Sequence, residues 1–145
     1  MTPQENSPAK HPALGIDFGD VRIGVAATDE FGILAYPVEV IDQSKSEALP
    51  RLADLVATYK IKTVIVGLPL RLDGSEGSSA KKVRSFTAHL RERISPVPVV
   101  LVDESLTTVS AAEKLREAGK NSKSQKALID QAAAVEILNL WMDES

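Results

Sequence analysis

Apolar and polar positions alternate over Ala13–Phe18, with Leu14, Ile16 and Phe18 on one side of an extended chain and Gly15 and Asp17 on the other. This is the period of a half-buried β-strand. Gly19-Asp20 follows, a two-residue hairpin signal in which glycine supplies the positive φ of a type II′ turn. Such a turn predicts that Phe18 pairs with Val21, Asp17 with Arg22, Ile16 with Ile23 and Gly15 with Gly24. GILAYPVEVI (32–41) reads as a third strand, and Pro37 favours an edge or a bulge there. Helical spacing at Leu49, Leu52, Leu55 and Val56 marks a helix within 46–60. KTVIVGLPL is a buried strand ending at Gly67, the loop LRLDGSEG (70–77) follows, and an amphipathic helix runs from about Glu76 to Ile94. VPVVLVDE closes a further strand on Asp103 and Glu104. LTTVSAAEKLREAG is a helix stopped by Gly119, and a mostly apolar helix begins near Ser122 or Ser124. The order βββαβαβαα gives an α/β fold, a mixed sheet with helices on its faces.

Length and composition narrow the chemistry. A chain of 145 residues predicts one domain, spanning 13–145, behind a disordered tail at 1–12 (MTPQENSPAKHP). With no cysteine, disulfides, thiolate nucleophiles and Cys-ligated zinc are excluded, and His11 and His89 are the only imidazoles. No apolar run reaches the length of a membrane span and no signal peptide is evident, so a soluble, cytoplasmic protein without membrane contact is expected. The net charge is −3, but Lys81–Arg93 and Lys114–Lys126 each carry five basic residues and one acid. These segments are either two solvated helix faces or a surface that tracks phosphates. Only 4% of residues are aromatic, mostly at core-like positions, so no platform for stacking several bases is expected.

Three carboxylates stand where burial is expected. Asp17 is in mid-strand, Glu104 closes a strand, and Asp130 lies on a helical face with Lys126, Ala133, Ala134, Ile137 and Trp141. An unpaired carboxylate in such a place costs several kcal/mol. A hard divalent cation, Mg²⁺ or Mn²⁺, compensates several at once, and two ions about 4 Å apart can drive phosphodiester hydrolysis without His or Cys. Structural alternatives stand beside this reading: Asp17 paired with Arg22 across the hairpin, and Glu104 placed at a helix N-terminus. Capping explains Asp130 poorly, because it lies beyond the first helical turn. Gly15, Gly19 and Gly24 have turn formation and packing as their plain roles.

Together GIDFGDVRIGVAATD, VGLPLRLDGSEG, VDESLTT and IDQAAAVEIL resemble the YqgF/RuvX family, described as Holliday junction resolvases and as nucleases maturing the 5′ end of pre-16S rRNA. The resemblance spans about Ala13 to Trp141. It implies an RNase H-like fold with a central five-stranded mixed sheet, and it carries Asp17, Glu104 and Asp130 over as catalytic metal ligands. It also implies an RNA partner, pre-16S rRNA or a pre-ribosomal particle, with branched DNA as the alternative; a two-fold junction would favour a homodimer over a monomer. Arg22, Arg71, Lys81, Lys82, Arg84, Lys120, Lys123 and Lys126 are the candidate nucleic-acid contacts. Two departures stand out: Ser105 occupies the place of the family's arginine in the third motif, and Arg71 that of an asparagine in the second. A nucleic-acid-binding ribosome-assembly factor with weak or no cleavage is therefore a further reading. The opening hairpin also resembles the phosphate loop of actin-like ATPases, but the chain is too short for their second lobe. Neither a Walker pattern nor a G-x-S-x-G elbow is present.

Overall fold

The protein is described here by a computed structural model covering residues 9–104 and 123–144, with side chains in the last segment from residue 130. Strands β1 (Ala13–Phe18), β2 (Arg22–Thr28) and β3 (Ala35–Asp42) precede helix α1 (Ala48–Thr58). Strand β4 (Thr63–Leu68), helix α2 (Ser78–Ile94), strand β5 (Val99–Asp103) and helix α3 (Lys123–Glu144) follow. The predicted helix over 106–119 and its Gly119 stop lie outside the described residues.

The strands form one mixed sheet in the order β3-β2-β1-β4-β5. Strands β1, β2 and β3 are antiparallel, and β1, β4 and β5 run parallel. Every parallel partner is reached through a helical crossover, as a parallel pair requires. Strand β3 is an edge, and the register slips opposite Val25 and Ala26, which face Glu39 and Pro37. Pro37 thus sits at both features expected of it.

The predicted hairpin register is corrected by two residues. Phe18 pairs with Ile23, Asp17 with Gly24, Ile16 with Val25 and Gly15 with Ala26. A wider loop replaces the two-residue turn, closed by Gly19 N–H donating to the Arg22 carbonyl at 3.0 Å. Gln43 at the end of β3 holds it open, its side-chain amide donating to the Gly19 carbonyl at 2.6 Å and its backbone N–H to that of Val21 at 2.9 Å. A tertiary anchor therefore overrides local turn preference. Because side chains alternate with period two, an error of two residues leaves every side chain on its predicted face.

Alternation then divides the core. Leu14, Ile16, Ile23, Val25, Val64 and Val66 face α1 and α2, where Leu52, Leu55, Val83 and Leu90 cover them. Ala13, Ala26, Ile65 and Val102 face α3 and meet Ala134, Ile137, Leu138 and Trp141. Helices cover both faces, and burial of each such aliphatic side chain contributes about 1.5–3 kcal/mol. Residues 11 and 12, assigned by sequence to the tail, pack onto this body: His11 Nδ1 lies 2.8 Å from Thr28 Oγ1, and Lys62 N–H donates to the Pro12 carbonyl at 2.8 Å. Among the described residues, no helix is long and apolar enough to cross a membrane.

Candidate active site

Asp17 shares the α3 face of β1 with Ala13 and Gly15, and its neighbours there have no side chains. Gly24 is its partner on β2. On β4, Gly67 comes one step beyond the last parallel pair, Ile16 with Val66. A β-carbon on Gly67 would stand 2.5 Å from the Glu104 carboxyl carbon and 2.6 Å from Ile137 Cδ1, and one on Gly24 would collide with the Asp130 backbone carbonyl. The floor around Asp17 is therefore bare backbone, and Glu104 and α3 occupy the space thus left.

Glu104 enters one residue beyond β5, anchored by its N–H donating to the Leu68 carbonyl at 3.2 Å, and is only 3% exposed. A side-chain hydrogen bond joins it to the Asp17 carboxyl. Burial, the Glu104 charge and that hydrogen bond, and then the Asp130 charge push the Asp17 carboxyl up from 3.8 to about 8. Asp130 comes from the second half of α3's first three turns and is pinned by Arg22, whose Nε donates to Oδ2 at 2.9 Å. Burial raises the Asp130 carboxyl, and the Arg22 bond and charge act against that rise. The alternative reading, Asp17 paired with Arg22, gives way to Arg22–Asp130, a contact spanning 108 residues that no local pattern announces.

Oxygen donors of this kind suit a hard divalent cation. Among the described residues no group of three His, Asp or Glu side chains is already arranged to hold one. Burial and the neighbouring carboxylates favour the neutral form of Asp17, and the Arg22 guanidinium stands against Asp130.

The predicted nucleic-acid contacts fall into distinct settings. Lys82 pairs with Asp20 at 3.1 Å, and Arg84 forms a two-pronged pair with Glu76 at 2.7 Å on both arms. The Arg71 guanidinium lies over Gly77, 3.0 Å from where its β-carbon would be, on a cavity of about 270 Å³ with Pro69, Ser78 and Ser79. Lys81 is exposed on the first turn of α2. Lys123 and Lys126 lie on the first two turns of α3, while Lys120 and Ser105 are outside the described residues. A cavity of about 650 Å³ lies on the opposite face, lined by Phe18, Phe86, Lys45 and Arg93, and includes none of the three acids. Phe31 is 74% exposed on the β2–β3 connection, an exception to the mostly core-like placing expected of the aromatics.

A family profile described as "RuvX: Holliday junction resolvase" matches residues 11–144. A Mycobacterium leprae protein named "Putative pre-16S rRNA nuclease" is 52% identical over 138 residues, covering 94% of this chain and 75% of that one. A Rhodococcus opacus protein of the same name is 46% identical over 147 residues, covering 98% and 83%. Among solved structures, Thermus thermophilus RuvC in complex with a Holliday junction substrate aligns with a TM-score of 0.57 at 16% identity, over 91% of this chain and 94% of that one. The yeast mitochondrial Holliday junction resolvase aligns with a TM-score of 0.53 at 14% identity, over 94% and 80%. At such identities the structural likeness shows the shared RNase H-like fold.

Proposed function

The chain belongs to the RuvX family, and from that premise we propose that it is a phosphodiester nuclease whose Asp17, Glu104 and Asp130 hold divalent cations, Mg²⁺ or Mn²⁺. The observation that carries this is the convergence of the three acids on a floor kept bare by Gly24 and Gly67. When bound, the metal supplies water activation and charge stabilisation at the scissile phosphate. The residues themselves do the rest. Asp17, Glu104 and Asp130 would hold the cation as carboxylates, and Arg22 orients Asp130 through its bond from Nε to Oδ2. Arg71 and Lys81 attract the phosphate backbone beside the acids.

RNA is the substrate we assign, the 5′ precursor of 16S rRNA, following the names of the similar mycobacterial and rhodococcal proteins. The description of the family profile supports a second reading, a four-way DNA junction. Incubation of the purified chain with precursor rRNA and with a four-way junction, at matched salt with Mg²⁺, Mn²⁺ or EDTA, separates them. Metal-dependent cleavage of the RNA, lost in Asp17→Asn, is the expected result. Paired nicking of the junction with the RNA left intact, alone or in pre-ribosomal particles, would reassign the substrate, and cleavage undiminished in EDTA would remove the metal site.

A further inference from the structure

Leu72 is 88% exposed, the most exposed of the large apolar side chains among the described residues. A lone exposed leucine is ordinary, but this one stands at the tip of a stiffened projection. Gly74, at φ 87°, closes a turn in which its N–H donates to the Arg71 carbonyl at 2.8 Å. Arg71 N–H donates to the Ser75 carbonyl at 2.9 Å, and Leu70 bridges to Glu76 below it. Asp73 Oδ1 accepts from Ser75 N–H at 2.9 Å and from Ser75 Oγ at 2.6 Å. The Glu76–Arg84 pair clamps the base of the hairpin to α2. These bonds hold the hairpin with Leu72 exposed at its tip.

Its position follows from topology. Strands β1 and β4 are parallel, so the hairpin after β4 leaves the sheet at the end where β1 carries Asp17. The Lys82–Asp20 pair ties α2 to the β1–β2 loop across that end. On that loop Val21 is a second exposed apolar side chain, at 55%. Arg71 and Lys81 supply positive charge around the tip.

We propose that Leu72 is an apolar wedge that enters the base stack of the bound nucleic acid next to the phosphate to be cut. Apolar side chains inserted between base steps partly unstack them, and the ordering of the inserted element must be met beforehand or at binding. A hairpin fixed by its own hydrogen bonds meets it beforehand. The substrates favoured are those with a step already easy to open: a helix end, a mismatch or a branch point. This inference rests on the nuclease reading above.

The test uses 2-aminopurine placed at successive steps of an RNA hairpin with a single-stranded extension and of a four-way DNA junction, bound to the full chain in EDTA. Wild-type protein is expected to raise the fluorescence at one step. Leu72→Ser should abolish that rise and slow cleavage in Mg²⁺ by about tenfold or more, the scale of losing the support of one unstacked base step, while Leu72→Phe restores both. Thermal midpoints should match across the three proteins, because Leu72 is almost fully exposed. A fluorescence rise that persists in Leu72→Ser, or is absent from wild-type protein that binds and cleaves, overturns the wedge and leaves the nuclease intact. Failure of the wild-type chain to bind either probe at low salt overturns the nuclease reading, and the wedge with it.

Discussion

At Asp17, burial, Glu104 and Asp130 all push the carboxyl upward, to about 8 from its ordinary 3.8. Between those values the folded chain holds a proton that the unfolded chain has released, so the stability of the metal-free protein falls as pH rises through that window. Chemical denaturation in EDTA should find wild-type protein more stable at pH 5 than at pH 8. Asp17→Asn should reduce that difference and gain stability at pH 8 while losing cleavage; equal pH dependence in both proteins would show that Asp17 is not held protonated. Divalent cation at pH 8 displaces the proton, so it should stabilise the wild type and not the variant. Arg22 gives a second expectation. Arg22→Ala leaves the half-buried Asp130 without its guanidinium, at a cost of about 1 kcal/mol for a pair partly open to solvent. Added Mg²⁺ should recover more stability in this variant than in the wild type, as read by thermal shift. Asp17 was legible in the sequence because an acid broke an apolar alternation. The partner of Arg22 was not, since nothing local connects positions 22 and 130.

Strand and helix spacing turn on glycines that the sequence marks only weakly. Alternation placed Gly15, Asp17 and Gly24 correctly on one face, even with the register two residues off. What alternation does not reveal is how close the crossing helix comes. On β2, the β-carbon of Gly24→Ala would press on helix backbone at Asp130, which cannot move without shifting α3. A loss of about 2–4 kcal/mol in denaturation is expected, typical of overpacking against rigid neighbours. In Gly67→Ala the obstructing atoms belong to the Glu104 and Ile137 side chains. These can yield, so stability should fall by a smaller amount, about 1–2 kcal/mol, while displacement of Glu104 abolishes cleavage. The opposite ordering, with Gly67→Ala unfolded and Gly24→Ala fully active, would contradict a bare floor that exists to admit carboxylates. The hairpin turn failed as a local prediction for the same reason: Gln43, from a distant strand end, sets the width of the loop.

Across the whole molecule, charge decides how the substrate is held. Sequence pattern finds basic segments within a chain of net charge −3, but it does not show which cations are already engaged. In the 81–93 segment, Lys82 and Arg84 are paired with Asp20 and Glu76, and Arg91 donates to the Val99 carbonyl at 3.0 Å. Among the described side chains at this end of the sheet, Arg71 and Lys81 are placed to meet phosphates directly, with Lys82 and Arg84 available at the modest cost of breaking exposed pairs. Each phosphate neutralised contributes about 0.7–0.9 to the slope of log K against log salt. A binding titration from 50 to 200 mM salt should therefore give a shallow slope, on the order of 2–4. Arg71→Ala and Lys81→Ala should each remove close to one contact. Arg84→Ala should change the slope less, and act mainly by freeing the 70–77 hairpin from α2. A slope several units steeper would mean that the segments outside the described residues carry most of the binding. A shallow one means that a naked RNA is gripped weakly near physiological salt, so cleavage of the same precursor should lose less of its rate on raising salt when the RNA is presented in a pre-ribosomal particle.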